Sequence, residues 1–218
     1  MKDFNRKHRF KQIGSLIARR VAVRAAALLL AGCTFLAPIP EESRFFLLTA
    51  IPPGNDGAQA VQQNTSGLVL GLGPIKFPDY LQRSEIAQRV GSNQVQFLDN
   101  DHWAEPLKDN FSHVLSQNLS ALLGTQQIIS FPWYSSTHID YQVAITVDRF
   151  ECGTQDQAQL AARWAINDPS GRILERRVSD LTASCGSSVD QGVSALSQTL
   201  ADFSRQIATA LQQLGARH

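Results

Sequence analysis

The strongest constraint on this fold is a strict alternation in the middle of the chain. Ile139, Tyr141, Val143, Ile145 and Val147 point one way, and Asp140, Gln142, Thr146 and Asp148 point the other. Successive side chains of a strand face opposite sides of a sheet, so this run predicts a strand with one buried face. The pattern returns from Gln155 to Ile166, with Ala158, Leu160, Ala162, Trp164 and Ile166 on the apolar side. Asn167-Asp168-Pro169-Ser170-Gly171 then reads as a hairpin turn, and Arg172 to Ala183 as the returning strand, with poorer alternation. Together they predict a three-stranded antiparallel meander.

Shorter apolar runs supply further strands. Arg44-Phe45-Phe46-Leu47-Leu48 reads as the first. Leu68, Leu70 and Leu72 alternate in a strand expected to stop at Pro74, and Val95 and Phe97 alternate in one expected to stop at the polar turn Asp99-Asn100-Asp101. Pro78 to Arg83 reads as a turn and Gln126 to Ser130 as a short strand. Residues 52–66 are rich in turn formers and amides and read as a solvated loop.

Two helices are expected. The first opens at Trp103-Ala104-Glu105-Pro106-Leu107, with Pro in the first turn, and carries the stripe Leu107, Phe111, Val114, Leu115, Leu119, Leu122 to a stop at Gly124. The second runs from about Ser188 to Leu214, with Ser188 and Gln191 at capping-box spacing. Its stripe, Val193, Leu196, Leu200, Phe203, Ile207, Ala210 and Leu214, suits packing on a sheet or, less commonly, against another protein. Six or seven strands and two helices predict an α/β (α+β) domain, a mixed and largely antiparallel sheet with two main helices packed on it.

The N-terminus has a different character. A basic stretch precedes the apolar run Val21 to Leu30, which ends in Leu30-Ala31-Gly32-Cys33. That order is a secretory signal, and its end resembles a bacterial lipobox. The resemblance implies a diacylglycerol thioether on Cys33 and cleavage before it. The apolar run is about half the ~20 residues needed to cross a bilayer, so it predicts an anchor and not a span. The expected organisation is a lipoprotein signal peptide at 1–32, a lipidated tether at 33–43 containing Pro38 and Pro40, and a domain at 44–218. Thr34 follows the lipid site where an Asp would favour inner-membrane retention, which points to the outer membrane, periplasmic face. Arg19-Arg20 is followed by Val-Ala-Val-Arg, a poor twin-arginine match.

Charge and cysteine usage sharpen this reading. Eight of the 20 basic side chains and one of the 19 acidic ones precede Cys33, leaving 12 against 18 in the remainder. An acidic domain repels phosphate backbones, so nucleic acid is not an expected partner. Cys152 and Cys185 form an even pair in an oxidising compartment and follow the first and third strands of the meander, at the same end. They are expected to form a disulfide, provided that the loops close a gap of about two strand spacings.

Several stretches in order resemble one family. They are the lipobox; the aromatic-Leu first strand; Leu72-Gly73-Pro74-Ile75 before Pro78-Asp79-Tyr80-Leu81-Gln82-Arg83; Gln94-Val95-Gln96-Phe97; Trp103-Ala104-Glu105-Pro106-Leu107; Asn118-Leu119; Phe131-Pro132-Trp133; and Arg149-Phe150-Glu151. The sequence resembles the PqiC-type (YmbA-type) auxiliary lipoproteins of ABC-type and MCE-type transport systems. One departure is Phe46, where the family pattern has Tyr. The resemblance implies a non-catalytic outer-membrane lipoprotein that works with MCE-domain and ABC-type transport proteins in moving lipid or maintaining envelope integrity. It carries no catalytic residues and no cofactor.

The residues themselves offer little chemistry. His8, His102, His113, His138 and His218 lack metal spacing, and no Cys-x-x-Cys, Gly-x-Ser-x-Gly or phosphate loop is present. Gly71 and Gly73 suit a bulge or close packing. Asp99, Asp101 and Glu105 fit an acidic turn before a helix better than a catalytic cluster. Trp133 and Tyr134 are the candidate contacts to a partner or lipid, and Trp103 is expected in the core. A structural or assembly-factor lipoprotein is the alternative function and a periplasmic hydrolase the remote one. The long second stripe leaves a homo-oligomer open.

Overall fold

The computed structural model describes residues 42–52, 67–153 and 156–216. Cys33, the signal segment and nearly all of the tether lie outside them. The described strands are β1 (Arg44–Phe46), β2 (Leu70–Lys76), β3 (Glu85–Gly91), β4 (Gln94–Trp103), β5 (Ile128–Ser130), β6 (Tyr141–Cys152), β7 (Gln157–Asn167) and β8 (Ile173–Ser184). The helices are α1 (Leu107–Leu123) and α2 (Val189–Gly215). Among the described residues a 3-10 turn spans Asp79–Gln82. Among the described residues no helix is long and apolar enough to cross a membrane.

The meander forms as its alternation dictates. β6, β7 and β8 pair antiparallel in sequence, with Val143 opposite Ile166 and Leu160 opposite Leu181. The other edge of β6 is shared. Its first half runs parallel to β2, and its end touches β3 at Gln88 and Cys152. β3 and β4 form an antiparallel hairpin, β1 adds parallel to β4, and β5 adds parallel to β2. The result is one mixed eight-stranded sheet in which the antiparallel ladders carry most of the pairing.

Both helices lie on the same face of this sheet and pack on each other. α2 is 27 residues long and turns Val193, Leu196, Leu200, Phe203, Ile207, Ala210 and Leu214 inward, so its stripe is a core face. Its start is fixed by reciprocal bonds between Ser188 and Gln191, as the spacing predicts. α1 buries Leu107, Phe111, Val114, Leu115 and Leu119 and ends at Gly124 in a left-handed cap. Aromatic rings meet edge-on at the centre of the core: Phe111 lies 5.2 Å from Phe77 and 5.3 Å from Phe150, and Phe203 lies 6.2 Å from Trp164. Each such contact adds about 0.5–1.5 kcal/mol beyond area burial.

Three local expectations are corrected. β2 does not stop at Pro74. The ladder shifts register between Leu72 and Ile75, so Pro74 sits in a bulge where no ladder donor is required, and β2 continues to Lys76. β4 does not stop at Asp99-Asn100-Asp101 but runs through it to Trp103. Long-range pairing overrides the local turn signal there, because Asp101 sits opposite Arg44 of β1 and receives two bonds from its guanidinium, at 2.6 and 2.9 Å. The first helix begins at Leu107, after Pro106, and Trp103 is the buried last residue of β4. Glu105 does not serve the helix dipole alone; its carboxylate accepts from Asn110 Nδ2 at 2.6 Å.

Candidate docking surface and its supports

The stretch that follows β1 is held by side chains and not by a strand ladder. After β1 the backbone passes over both helices. Leu48 N donates to Asn110 Oδ1 at 2.7 Å, Thr49 N to Ser197 Oγ at 3.1 Å, and Ile51 N to Asn118 Oδ1 at 2.8 Å. Asn118 Nδ2 donates in turn to Ser204 Oγ of α2 at 3.1 Å. Asn110 and Asn118 are buried, so each interrupts the apolar stripe of α1 to capture an amide that would otherwise be orphaned. These residues escape a search for apolar periodicity. The signal that finds them is an amide side chain on a core face, at 110 and again at 118.

A second cluster joins two of the motif stretches. Glu151 is buried, and its side chain accepts four bonds. They come from Tyr80 Oη at 2.8 Å, Arg89 Nε at 2.8 Å, Arg149 Nε at 3.2 Å and the Phe150 backbone N–H at 3.0 Å. Pro78-Asp79-Tyr80-Leu81 is therefore a support: its 3-10 turn buries Leu81 and delivers Tyr80 to Glu151. Burial, then the bond to Glu151, pushes the Tyr80 hydroxyl up to about 12 from an ordinary value of 10. Between these values the unfolded chain releases the Tyr80 proton while the folded chain retains it. The contribution is thus complete below pH 10 and is lost as pH rises toward 12. Urea unfolding at pH 9 and 11.5 should show wild type losing more stability over that interval than Tyr80→Phe. Equal losses would remove Tyr80 from the alkaline transition.

The third support is the disulfide. Cys152 and Cys185 are joined, with Cα atoms 6.3 Å apart. Cys152 ends β6 and Cys185 follows β8, and the bridge spans the start of β7 between them. Gly192, in the first turn of α2, leaves room for it; a Cβ there would come within 3.1 Å of Cys152 Sγ.

The aromatic loop after β5 is an exposed feature of a different kind. Phe131 N donates to Leu72 O at 2.9 Å, and Asp140 N to Val69 O at 2.8 Å, so both ends of the loop are tied to the β2 side. Trp133 and Tyr134 part company here. Trp133 is half-buried, packed edge-on against Phe131 at 5.4 Å and lying over Gly71. A Cβ at Gly71 would meet the indole at 2.8 Å, and one at Gly73 would meet Phe131 Cβ at 2.8 Å, so the two glycines exist to seat this loop. Tyr134 is 84% exposed and Phe131 51%. The loop thus presents two exposed aromatics, Phe131 and Tyr134, beside a short edge strand.

On the opposite side from the helices, Ala144 and Ala165 form the floor of a shallow groove of about 380 Å³, with Pro74, Lys76, Arg163 and Arg176 at its sides. Arg163 is neutralised by two bonds to Asp148 at 2.8 and 2.9 Å, which also hold that carboxyl below its ordinary range. Among the described residues no group of three His, Cys, Asp or Glu side chains is placed to hold a metal ion.

A comparison with curated protein sequences finds no match. Among solved structures, a protein from Xanthomonas campestris superposes with a TM-score of 0.67 at 15% identity, covering 81% of this chain and all of that one. A second, described only as an uncharacterized protein, superposes at 0.63 with 20% identity, covering 78% of this chain and 99% of that one. At such identities the likeness is one of fold. The family model described as the ABC-type transport auxiliary lipoprotein component matches residues 46–208, from β1 through most of α2 and across every support described above, and the chain belongs to that family.

Proposed function

We propose that this chain is a non-catalytic, outer-membrane-anchored periplasmic lipoprotein of an MCE-type and ABC-type envelope lipid-transport system. In this reading residues 1–32 are removed, lipid on Cys33 anchors the chain, residues 33–43 are the tether, and the domain from 44 onward engages its transport partner. Anchoring needs several acyl chains, because each buried CH₂ contributes only ~0.8 kcal/mol and one chain holds weakly. The observation that carries the reading is the exposed aromatic loop on a member of a transport-auxiliary family. Tyr134 and Phe131 offer large aromatic contact area at low entropic cost.

The test is a crosslinked pull-down of the full-length protein from membranes, in wild-type, Cys33→Ala and Tyr134→Ala forms. Wild type is expected to recover an MCE-domain or ABC-transport component, and both variants to recover it poorly. Tyr134→Ala removes an exposed side chain, so its stability should stay within about 0.5 kcal/mol of wild type. Recovery of only barrel-assembly or lipopolysaccharide-assembly proteins would overturn the transport reading in favour of an assembly factor. Trp133→Ala is the poorer probe, since it also empties the space over Gly71.

A further inference from the structure

We propose that Phe45 and Leu47 rest in the interfacial layer of the bilayer that holds the lipid anchor, making the exit of the tether a second membrane contact. The inference builds on the lipidation of Cys33 proposed above. Phe45 is 67% exposed and Leu47 49%, whereas Phe46 and Leu48, which alternate with them, turn inward. Isolated exposed apolar residues are common, but these two lie side by side at the place where the tether enters the fold.

The occupant follows from chain length. Phe45 is twelve residues after Cys33, a distance of no more than about 40 Å even fully extended. A lipid on Cys33 therefore keeps this patch close to the bilayer at high effective concentration, and a weak apolar contact suffices. The patch is also held firm. Phe45 lies against His102 of β4 at 5.7 Å, and the bonds that the backbone of residues 48–51 donates to Asn110, Ser197 and Asn118 fix the chain just beyond Leu47. Arg44 beside it is neutralised by Asp101, so its charge does not oppose seating among headgroups of either sign.

The experiment uses the full-length lipidated protein in vesicles of phosphatidylethanolamine and phosphatidylglycerol with brominated acyl chains. An environment-sensitive fluorophore is attached at Leu47→Cys or Phe45→Cys, and at Val178→Cys, which is exposed on β8, as the water-facing control. With Cys33 lipidated and Cys152 bonded to Cys185, the added thiol is the one available for labelling. Bromolipid quenching and a blue-shifted emission are expected at 45 and 47 and absent at 178, and Phe45→Ser should reduce the quenching at 47. A protein that floats with the vesicles while the probe at 47 is quenched no more than that at 178 overturns the patch and leaves the anchor standing. A blue shift without quenching also overturns it and assigns the patch to a protein contact. A protein that does not float at all overturns both the anchor and the patch.

Discussion

Replacing Glu151 with alanine is expected to destabilise the domain by about 3–5 kcal/mol, the range for removing one partner of a buried ion pair. The size follows from what is left behind. The Glu151 side chain is fully buried, and the Arg89 guanidinium that donates to it is only 19% exposed. Without the carboxylate, Arg89 keeps its charge in a site that no longer compensates it, while Tyr80 Oη and the Phe150 amide lose their acceptor. The bond to Glu151 raises the Arg89 pKa against the lowering effect of burial, so the carboxylate compensates a charge that stays in place when it is removed. Glu151→Gln keeps the shape and an acceptor oxygen and should cost less. Asp148→Asn provides the contrast. It breaks the exposed Arg163 pair, where water replaces the lost partner, and should cost under about 1 kcal/mol. Urea unfolding midpoints at neutral pH decide the matter. A Glu151→Ala loss no greater than that of Asp148→Asn would mean that water already screens the cluster. Because a stable domain has only about 5–15 kcal/mol in hand, the expected loss would also lower the amount of folded protein in the cell.

That cluster shows which parts of the fold the sequence carries openly. β6, β7 and α2 are legible because a single buried face imposes a period on 11 or more residues, and the period survives in the apolar pattern. The cap at Ser188, the stop at Gly124 and the close packing at Gly71 and Gly73 are legible because each depends on neighbours in sequence or on glycine's missing side chain, although the loop that packs there is not. Pairing between distant segments is not. Nothing local distinguishes Asp99-Asn100-Asp101 from a turn; the difference lies in Arg44, 57 residues before Asp101. Pro74 reads as a terminator until the bulge that accommodates it is known. The sharpest gap concerns polar residues doing structural work at a distance. Asn110 and Asn118 look like lapses in an apolar stripe, yet they hold the backbone 62 and 67 residues upstream. Tyr80 looks like a turn residue, yet its partner is Glu151, 71 residues away. Motif resemblance points to Tyr80, Asn118 and Glu151, but the apolar pattern gives none of them a structural role. On the candidate surface, the sequence singled out Trp133 and Tyr134 together, and only the packing of Trp133 over Gly71 separates a supporting residue from an exposed one.

Removing both cysteines, as Cys152→Ala/Cys185→Ala, is expected to cost about 3–4 kcal/mol. The two are 33 residues apart. Closing a loop of that length in the unfolded chain removes entropy equivalent to ~3.7 kcal/mol at 25 °C in the chain-entropy account. For a domain of this size that corresponds to a melting temperature lower by about 7–14 °C. The native fold should survive the change. The ladder between β7 and β8 runs unbroken beneath the bridge, from Gln157 opposite Ser184 to Ile166 opposite Glu175, and β6 pairs with β7 independently of it. The loss should therefore appear in the unfolding midpoint while the near-ultraviolet signal of Trp164 and Trp103, both buried, is retained. A thermal scan with and without reductant provides the internal control: reductant should lower the midpoint of wild type toward that of the double variant and leave the variant where it is. An unchanged midpoint in the double variant would show that the unfolded chain is already compact around these strand ends. A lost near-ultraviolet signal would instead place the bridge among the contacts that hold the first turn of α2 onto the sheet, where Gly192 faces Cys152 Sγ. The single variants separate the two accounts further. Each opens the same loop, so each alone should already show the full entropic loss, and the second substitution should add little to the first.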